Sequence, residues 1–421
     1  MNSHPPSSIP VAPKQSEGGL HPRRILVRGT NWLGDAVMTT PALARLREKF
    51  PDAHIALLTP EKLRELWLHH PAINEVLTVA PGESVFSVGR KLRRWGETAG
   101  EPAREDARPT NAISKPGAGR FDLALVLPNS PRSAIETWLA GILHRIGCAR
   151  PWRDFFLTQT VEPRSGAVPR CGMQKRSVSE IKRLAAADVN RRTIHENRAF
   201  TSAASDAHQI YEYLHLVAAL GANPEPIAPQ LFVTPDEIEA TKRKFGLEKI
   251  TGPVFGLNPG AEYGPAKRWP VERFIAAVRE IQNRTNCVWL IFGGRGDMEL
   301  AERINSELRT PNSELRSLAG QTSLRELMAL LKLCRVLLTN DSGPMHAAAA
   351  LGTPVVAPFG STSPELTGPG LPGDPRHRLL KSGAPCSPCF LRECPIDFRC
   401  MTGITVERVV EAVLSCSNAP L

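Results

Sequence analysis

The chain predicts an α/β protein built from two parallel-sheet domains. Three observations carry that prediction. Short apolar runs alternate with helix-like segments, as βαβ units require. The alternation stops at a proline-rich stretch and then starts again. The length of 421 residues suits two domains of roughly 150–200 residues, each able to bury its own core.

Residues 1–22 read as a disordered tail rich in Pro and Ser, without the apolar centre of a signal peptide. RILVR (24–28) opens the first domain, 23–220, and is followed by a Gly-containing loop and a helical pattern from Ala36 to Lys49. HIALL (54–58), a helix around Glu61–His69 and EVLTV (75–79) come next, then DLALVL (122–127), a short helix and RIGCA (145–149). Residues 221–252 read as a linker region, four prolines stiffening its first part, 221–237. The second domain, 253–421, begins at PVFGL (253–257) and runs through a helix from Val271 to Thr285 and CVWLIF (287–292). A helix from Asp297 to Leu308, LRSLA (315–319) and a helix opened by the capping box Ser323-x-x-Glu326 follow. RVLLT (335–339), a helix from Gly343 and PVVAPF (354–359) complete the pattern. Strands this short and apolar belong to a parallel sheet covered on both faces.

Composition excludes several classes. The longest apolar-looking stretch, Ala347 to Phe359, is interrupted by Gly352 and Pro354 and falls short of the ~20 residues of a membrane span. Nine cysteines are too few for a disulfide scaffold, and reduced thiols in the cytoplasm are the expectation. The net charge is +10, of which two aromatic-poor stretches, 81–120 and 161–200, supply +3 and +5. They read as solvated basic insertions in the first domain. A nucleic-acid partner needs its cations on folded elements interleaved with aromatics, so none is expected.

Ligands of open α/β sheets sit beyond the carboxyl ends of the strands. After RVLLT comes Asn340-Asp341-Ser342-Gly343-Pro344-Met345-His346. Pro suits a first helical turn, and the exposed N–H groups at a helix start bind anions. The block is either a phosphate site faced by His346 or a capped helix with a buried His. After PVFGL, Lys267 and Arg268 end a loop that can bring a cation to a diphosphate; the alternative is a solvated Lys beside a packed Trp269. Gly293-Gly294-Arg295-Gly296 is either a tight turn or a partial dinucleotide fingerprint. Asp35, after RILVR, is either an N-cap or a general base. None of the twelve Asp residues forms an Asp-x-Asp pair, so no carboxylate clamp for a metal-diphosphate is expected. Cys386, Cys389, Cys394 and Cys400 would close a zinc site or remain plain thiols, and no metal is assigned to them.

RGTNWLGDAVMTTPAL (28–43), DLALVLPNSPRSA (122–134), LNPGAEYGPAKRWP (257–270) and TNDSGPMHAAAALGTPVVAPFGSTSPELTGP (339–369) resemble the lipopolysaccharide heptosyltransferases of glycosyltransferase family 9. The likeness is greatest to members that add the second inner-core heptose. It implies a GT-B fold, two Rossmann-like domains facing across a cleft, and an inverting transfer of heptose from ADP-L-glycero-D-manno-heptose to the first heptose of the core. Other acceptors within the family, or a nucleotide-binding oxidoreductase, are the alternatives. It implies Asp35 as general base, Lys267 as the diphosphate-stabilising cation, and Asp341, Ser342, Gly343 and His346 as donor-binding, with Glu262 and Tyr263 flanking the donor. Asn31, Asn129 and Arg132 are the acceptor-side candidates. No cofactor is required. The implied partners are ADP-heptose, a lipid A–core acceptor and the inner leaflet of the membrane, with the protein cytoplasmic and peripheral on the inner face of the inner membrane.

Overall fold

The computed structural model describes residues 20–98, 120–164, 175–187, 207–309 and 315–417. The tail to residue 19 and the parts of both basic stretches at 99–119, 165–174 and 188–206 lie outside the described residues.

The first sheet contains β1 (Arg24–Arg28), β2 (His54–Pro60), β3 (Glu75–Val79), β4 (Leu123–Val126), β5 (His144–Cys148) and β6 (Gln159–Val161). All are parallel, in the order β3-β2-β1-β4-β5-β6. The second contains β7 (Val254–Asn258), β8 (Val288–Ile291), β9 (Leu315–Ser317), β10 (Val336–Thr339), β11 (Val355–Pro358) and β12 (Arg378–Leu380), in the order β12-β11-β10-β7-β8-β9. Counted from its own first strand, each sheet therefore has the Rossmann order 3-2-1-4-5-6. Every residue of β1, β4, β8, β10 and β11 is buried, which is why these runs are apolar without alternation.

Helices cover both faces: α1 (Leu33–Met38), α2 (Thr40–Lys49), α3 (Val85–Thr98), α4 (Pro131–Leu139), α5 (Val178–Ala187) and α6 (Gln209–Ala218) belong to the first half. They are followed by α7 (Pro235–Lys244), α8 (Val271–Thr285), α9 (Met298–Leu308), α10 (Leu324–Leu333), α11 (Gly343–Ala350) and α12 (Val406–Ser417). The capping box read at Ser323 forms, with Ser323 Oγ accepting from Glu326 N at 3.2 Å and Glu326 Oε2 accepting from Ser323 N at 2.9 Å.

Four readings need correction. The helix expected from Ala36 to Lys49 is two, broken at Thr39, because Pro41 has no N–H to continue the ladder. Glu61–Trp67 is a 3-10 helix. The linker region holds α7, which starts with a complete capping box between Thr234 and Glu237. The basic stretches are not plain insertions. Val88 and Leu92 of α3 are buried, and Gly89 lies so close to α4 that an added Cβ would stand 2.5 Å from Leu139 Cβ. In the second stretch α5 packs Ile181 against Cys386 and Cys389. Arg399 Nη1 donates to Ala185 O at 2.8 Å and Arg176 Nη1 to Pro385 O at 2.6 Å. This helix thus bridges to the second half of the chain.

Candidate active site

The strand order of each sheet reverses between two strands, β1 and β4 in the first, β7 and β10 in the second. The carboxyl ends of those strands are where such sheets bind ligands. Asn31 and Asp35 follow β1, and Asn129 and Arg132 follow β4. Glu262, Tyr263 and Lys267 follow β7, and Asp341, Ser342, Gly343 and His346 follow β10. The candidate residues therefore occupy the two switch points and no other strand end.

The starts of α1 and α11 meet across the seam between the sheets. An added Cβ on Gly343 would stand 2.9 Å from Leu33, and one on Gly34 would stand 2.6 Å from His346 Cδ2. Only residues without a side chain allow that approach. Trp32 is the N-cap of α1, so Asp35 is the third residue of the helix rather than its cap. Its carboxylate is half-buried, and Oδ1 accepts from Gln209 Nε2 at 3.4 Å. The same amide donates to Tyr213 Oη at 2.7 Å, so α6 supplies a polar backing to Asp35.

On the opposite side, Lys267 Nζ donates to Asp341 Oδ2 at 2.6 Å, and Thr362 Oγ1 donates to the same oxygen at 2.6 Å. Lys267 Nζ also lies 5.0 Å from the centre of the Tyr263 ring, and the Arg392 guanidinium lies 5.2 Å from it. Tyr263 is held by donating its hydroxyl to Phe390 O at 2.9 Å. Asn340 fixes the β7 loop, accepting from Trp269 N at 2.9 Å and donating to Pro259 O at 2.7 Å. Pro344 falls in the first turn of α11, and Ser342, its N-cap, makes no side-chain cap. Ser342 Oγ instead accepts from Asn258 Nδ2 at 3.2 Å and lies 3.2 Å from Thr339 Oγ1. That leaves the start of α11 without a carboxylate or hydroxyl of its own helix across its N–H groups, as an anion site requires.

His346 is buried, with Asp341 and Asp35 both near enough to act on its charge. Burial holds its pKa below the usual value and Lys267 adds to this, against the opposing pull of Asp341 and Asp35. The imidazole is therefore neutral near pH 7, a donor and acceptor rather than a cation. Glu262 is exposed; its one ion pair among the described residues reaches Lys62 of the first half at 3.8 Å. It stands at the rim of the site.

The acceptor-side candidates lean on buried charges, Asn31 and Arg132 on the Arg28–Glu136 pair and Asn129 on Arg153. Arg28 Nε pairs with Glu136 Oε2 at 2.7 Å and Arg132 Nε with Glu136 Oε1 at 2.8 Å. Asn31 Oδ1 accepts from Arg28 Nη1 at 3.3 Å, and Asn129 Oδ1 from the fully buried Arg153 at 3.4 Å. Sequence reading missed Gln209, Tyr213, Thr362 and Arg392. Thr362 lies inside a quoted block, whereas the other three carried no local signal.

The Gly293–Gly296 turn is closed by Asp297, whose Oδ2 accepts from Gly294 N at 3.0 Å; it is the tight turn. Cys386, Cys389 and Cys400 are buried and Cys394 partly so, all as free thiols. Burial and the neighbouring thiols push the pKa of Cys386 up and that of Cys400 to about 12. Among the described residues no group of His, Cys, Asp or Glu is gathered to hold a metal ion. The cysteine segment props the donor-side loop: Ala266 N donates to Arg392 O at 3.0 Å, and Gly264 has no room for a Cβ against that carbonyl.

Two Rossmann-like domains meeting at their switch points, with the Asp35 carboxylate on one and the Lys267–Asp341 pair beside the start of α11 on the other, have the arrangement of a GT-B glycosyltransferase. The solved structure of Escherichia coli ADP-heptose lps heptosyltransferase II superposes with a TM-score of 0.67 at 27% identity, covering 94% of this chain and 98% of that one. Lipopolysaccharide heptosyltransferase 2 of E. coli K12 is 31% identical over 348 residues, 82% of this chain and 85% of the relative. Lipooligosaccharide heptosyltransferase 2 of Haemophilus ducreyi is 31% identical over 354 residues, 82% and 86% of the two chains. The model of glycosyltransferase family 9 (heptosyltransferase) matches residues 165–398. The chain belongs to that family.

Proposed function

We propose that this enzyme moves a heptose from ADP-L-glycero-D-manno-heptose to the first heptose of the lipopolysaccharide inner core, with inversion. The observation that carries the reading is the facing of Asp35 and the Lys267–Asp341–His346 group across the α1–α11 seam. The acceptor hydroxyl attacks the anomeric carbon as its proton passes to Asp35. The bond from that carbon to the diphosphate oxygen breaks, and ADP leaves with the electron pair. The diphosphate lies at the start of α11, where helix N–H groups and the Lys267 ammonium offset its growing charge. Asp341 holds Lys267 in place, and neutral His346 donates a hydrogen bond to the donor. Glu262 and Tyr263 border the donor; Asn31, Asn129 and Arg132 border the acceptor. No cofactor enters, because Lys267 and the helix start supply the charge that the leaving group needs.

The acceptor is lipid-linked, so the enzyme works in the cytoplasm as a peripheral protein at the inner membrane face. Among the described residues no helix is long and apolar enough to cross a membrane. The test is a mass-spectrometric transfer assay against a panel of nucleotide sugars and truncated core acceptors, with Asp35→Asn alongside. Removing a general base slows transfer by about 10²–10⁴-fold and leaves ADP binding intact. Transfer to a different core sugar would reassign the enzyme within its family, and an Asp35→Asn enzyme within a few-fold of wild type would remove the base.

A further inference from the structure

We infer that one face of the first domain, formed by α3, α4 and the segment 149–158, docks on an anionic phospholipid bilayer. The inference rests on the acceptor being lipid-linked. It assigns the contact to α3, within the first basic stretch, together with α4 and residues 149–158.

Both crossovers, β3 to β4 and β4 to β5, run in the same direction along the sheet, so right-handed connections place α3 and α4 on one face. The two helices pack on each other, and α4 packs on the turn at Asp154–Phe156. Of ten exposed large apolar side chains among the described residues, five lie here or in the turn that follows α4: Phe86, Trp138, Leu143, Trp152 and Phe155. Trp152 is 89% exposed and Phe155 84%. Phe156 joins Trp138 and Phe155 edge-on at ring separations of 5.5 and 5.4 Å. Clustered exposure of this kind marks an interaction surface, and Trp beside Phe and Leu suits the boundary between headgroups and acyl chains.

Charge selects the partner. From Ser84 to Trp95 the exposed side of α3 carries Arg90, Lys91, Arg93 and Arg94, with Glu83 before them near Lys91 and Glu97 after them in the sequence. A cavity of about 440 Å³ opens between Ser84, Ser87, Arg90, Lys91, Arg94 and Trp95, wide enough for a phosphate headgroup. Between Pro131 and Thr158 Arg153 and Glu136 are both fully buried, which leaves Arg132, Arg145 and Arg150 against Asp154. A second copy of the chain would bring like charges together. Residues 99–119, which follow α3, contain one large apolar residue, Ile113, and cannot match five exposed ones. An anionic bilayer matches both the cations and the aromatics. The aromatic end of α4 lies roughly 13 Å from its start at the acceptor loop, so a docked protein keeps the cleft within reach of a lipid-anchored sugar.

The test is co-flotation of the full-length protein with vesicles of phosphatidylcholine containing one-third phosphatidylglycerol, against pure phosphatidylcholine. Binding should need phosphatidylglycerol and fall steeply between about 0.1 and 1 M salt, as the screening length shortens from ~10 to ~3 Å. Arg90→Gln with Arg94→Gln should weaken it about 25-fold, near fivefold per cation. Trp152→Ser with Phe155→Ser should weaken it at least as much. All four side chains are exposed and outside the active site, so transfer to a soluble deacylated acceptor should be unchanged, while transfer to vesicle-embedded acceptor drops. Equal flotation of wild type and both variants overturns the inference. So does a Trp152→Ser/Phe155→Ser protein that changes oligomeric state but not flotation. A wild-type enzyme inactive on the soluble acceptor refutes the proposed reaction instead, and flotation still judges the surface.

Discussion

Gly34→Ala tests the seam between the domains. In α1 the substitution is favourable on its own: Ala outranks Gly in a helix by ~0.5–1 kcal/mol. The new Cβ, however, would stand 2.6 Å from His346 Cδ2 and 3.1 Å from its Nε2. Carbon contacts relax at about 3.5–4.0 Å, so His346 or the whole seam must give by about 1 Å. Overpacking of that size costs ~1–3 kcal/mol, which the helix gain partly offsets, so the melting temperature moves little. Asp35 is the next residue and His346 lies near both it and Asp341, so a 1 Å shift falls on the reacting geometry. Displacement on that scale costs about 10²-fold in rate, or ~2.7 kcal/mol. The assay is kcat for heptose transfer to a soluble acceptor, read beside thermal melting. Gly296→Ala is the control, because its Cβ would meet nothing within 4 Å. In a His346→Ala background the clash is gone, and adding Gly34→Ala should then cost little further. A Gly34→Ala enzyme with kcat within a few-fold of wild type would refute the seam as a geometric constraint on catalysis.

Three more predictions use other parts of the site. Lys267→Ala removes the cation proposed to face the diphosphate and leaves the Asp341 carboxylate, 4% exposed, hydrogen-bonded by Thr362; kcat should fall about 10²–10³-fold and ADP should bind more weakly by calorimetry, unchanged values excluding Lys267. Glu136→Ala strands the buried Arg28 guanidinium and should cost ~3–5 kcal/mol by denaturant unfolding, whereas a loss under 1 kcal/mol would mean the pair behaves as a surface one. His208 accepts from Ile210 N and faces Gly368 O at 3.0 Å, so it is neutral with its proton on Nε2. Burial lowers its pKa to about 4, with the nearby His346 adding to this against the Gly368 hydrogen bond. The unfolded chain takes up a proton below about pH 6.5 that the folded one refuses, so stability is full above that pH and is lost as pH falls toward 4. Melting at pH 5 should show up to ~2 kcal/mol less stability from this group, and His208→Asn, which retains a capping side chain, should flatten that slope; an unchanged slope would exonerate His208.

The strands were legible because burial on both faces demands apolar runs, and RILVR, VWLI and VLLT leave no other reading. The loops after them were legible for a related reason. Backbone that must approach a ligand or a facing helix needs Gly and Pro at set places, and Gly34, Gly343 and Pro344 stand where the α1–α11 contact requires them. The edge strands Gln159–Val161 and Arg378–Leu380 escaped because three residues with exposed sides carry no period. Helix α3 escaped for a different reason. Its Arg-rich composition dominated the stretch, although Val85, Val88 and Leu92 repeat at helical spacing within it. Charge recorded the solvent side, and the sparse apolar stripe recorded the buried side. Gln209 and Arg392 were beyond reach from sequence, since each acts on a residue over a hundred positions away, Gln209 on Asp35 and Arg392 on Tyr263, and Tyr213 acts only through Gln209. Each pair lies within one half of the chain and is brought together by the packing of that half. A GT-B site therefore announces its strand-end loops in the sequence and conceals the groups that hold those loops in place. Those second groups, Gln209 behind Asp35 and Thr362 behind Lys267–Asp341, fix where the proposed proton acceptor and the proposed leaving-group cation stand, and so whether they face one sugar at the same time.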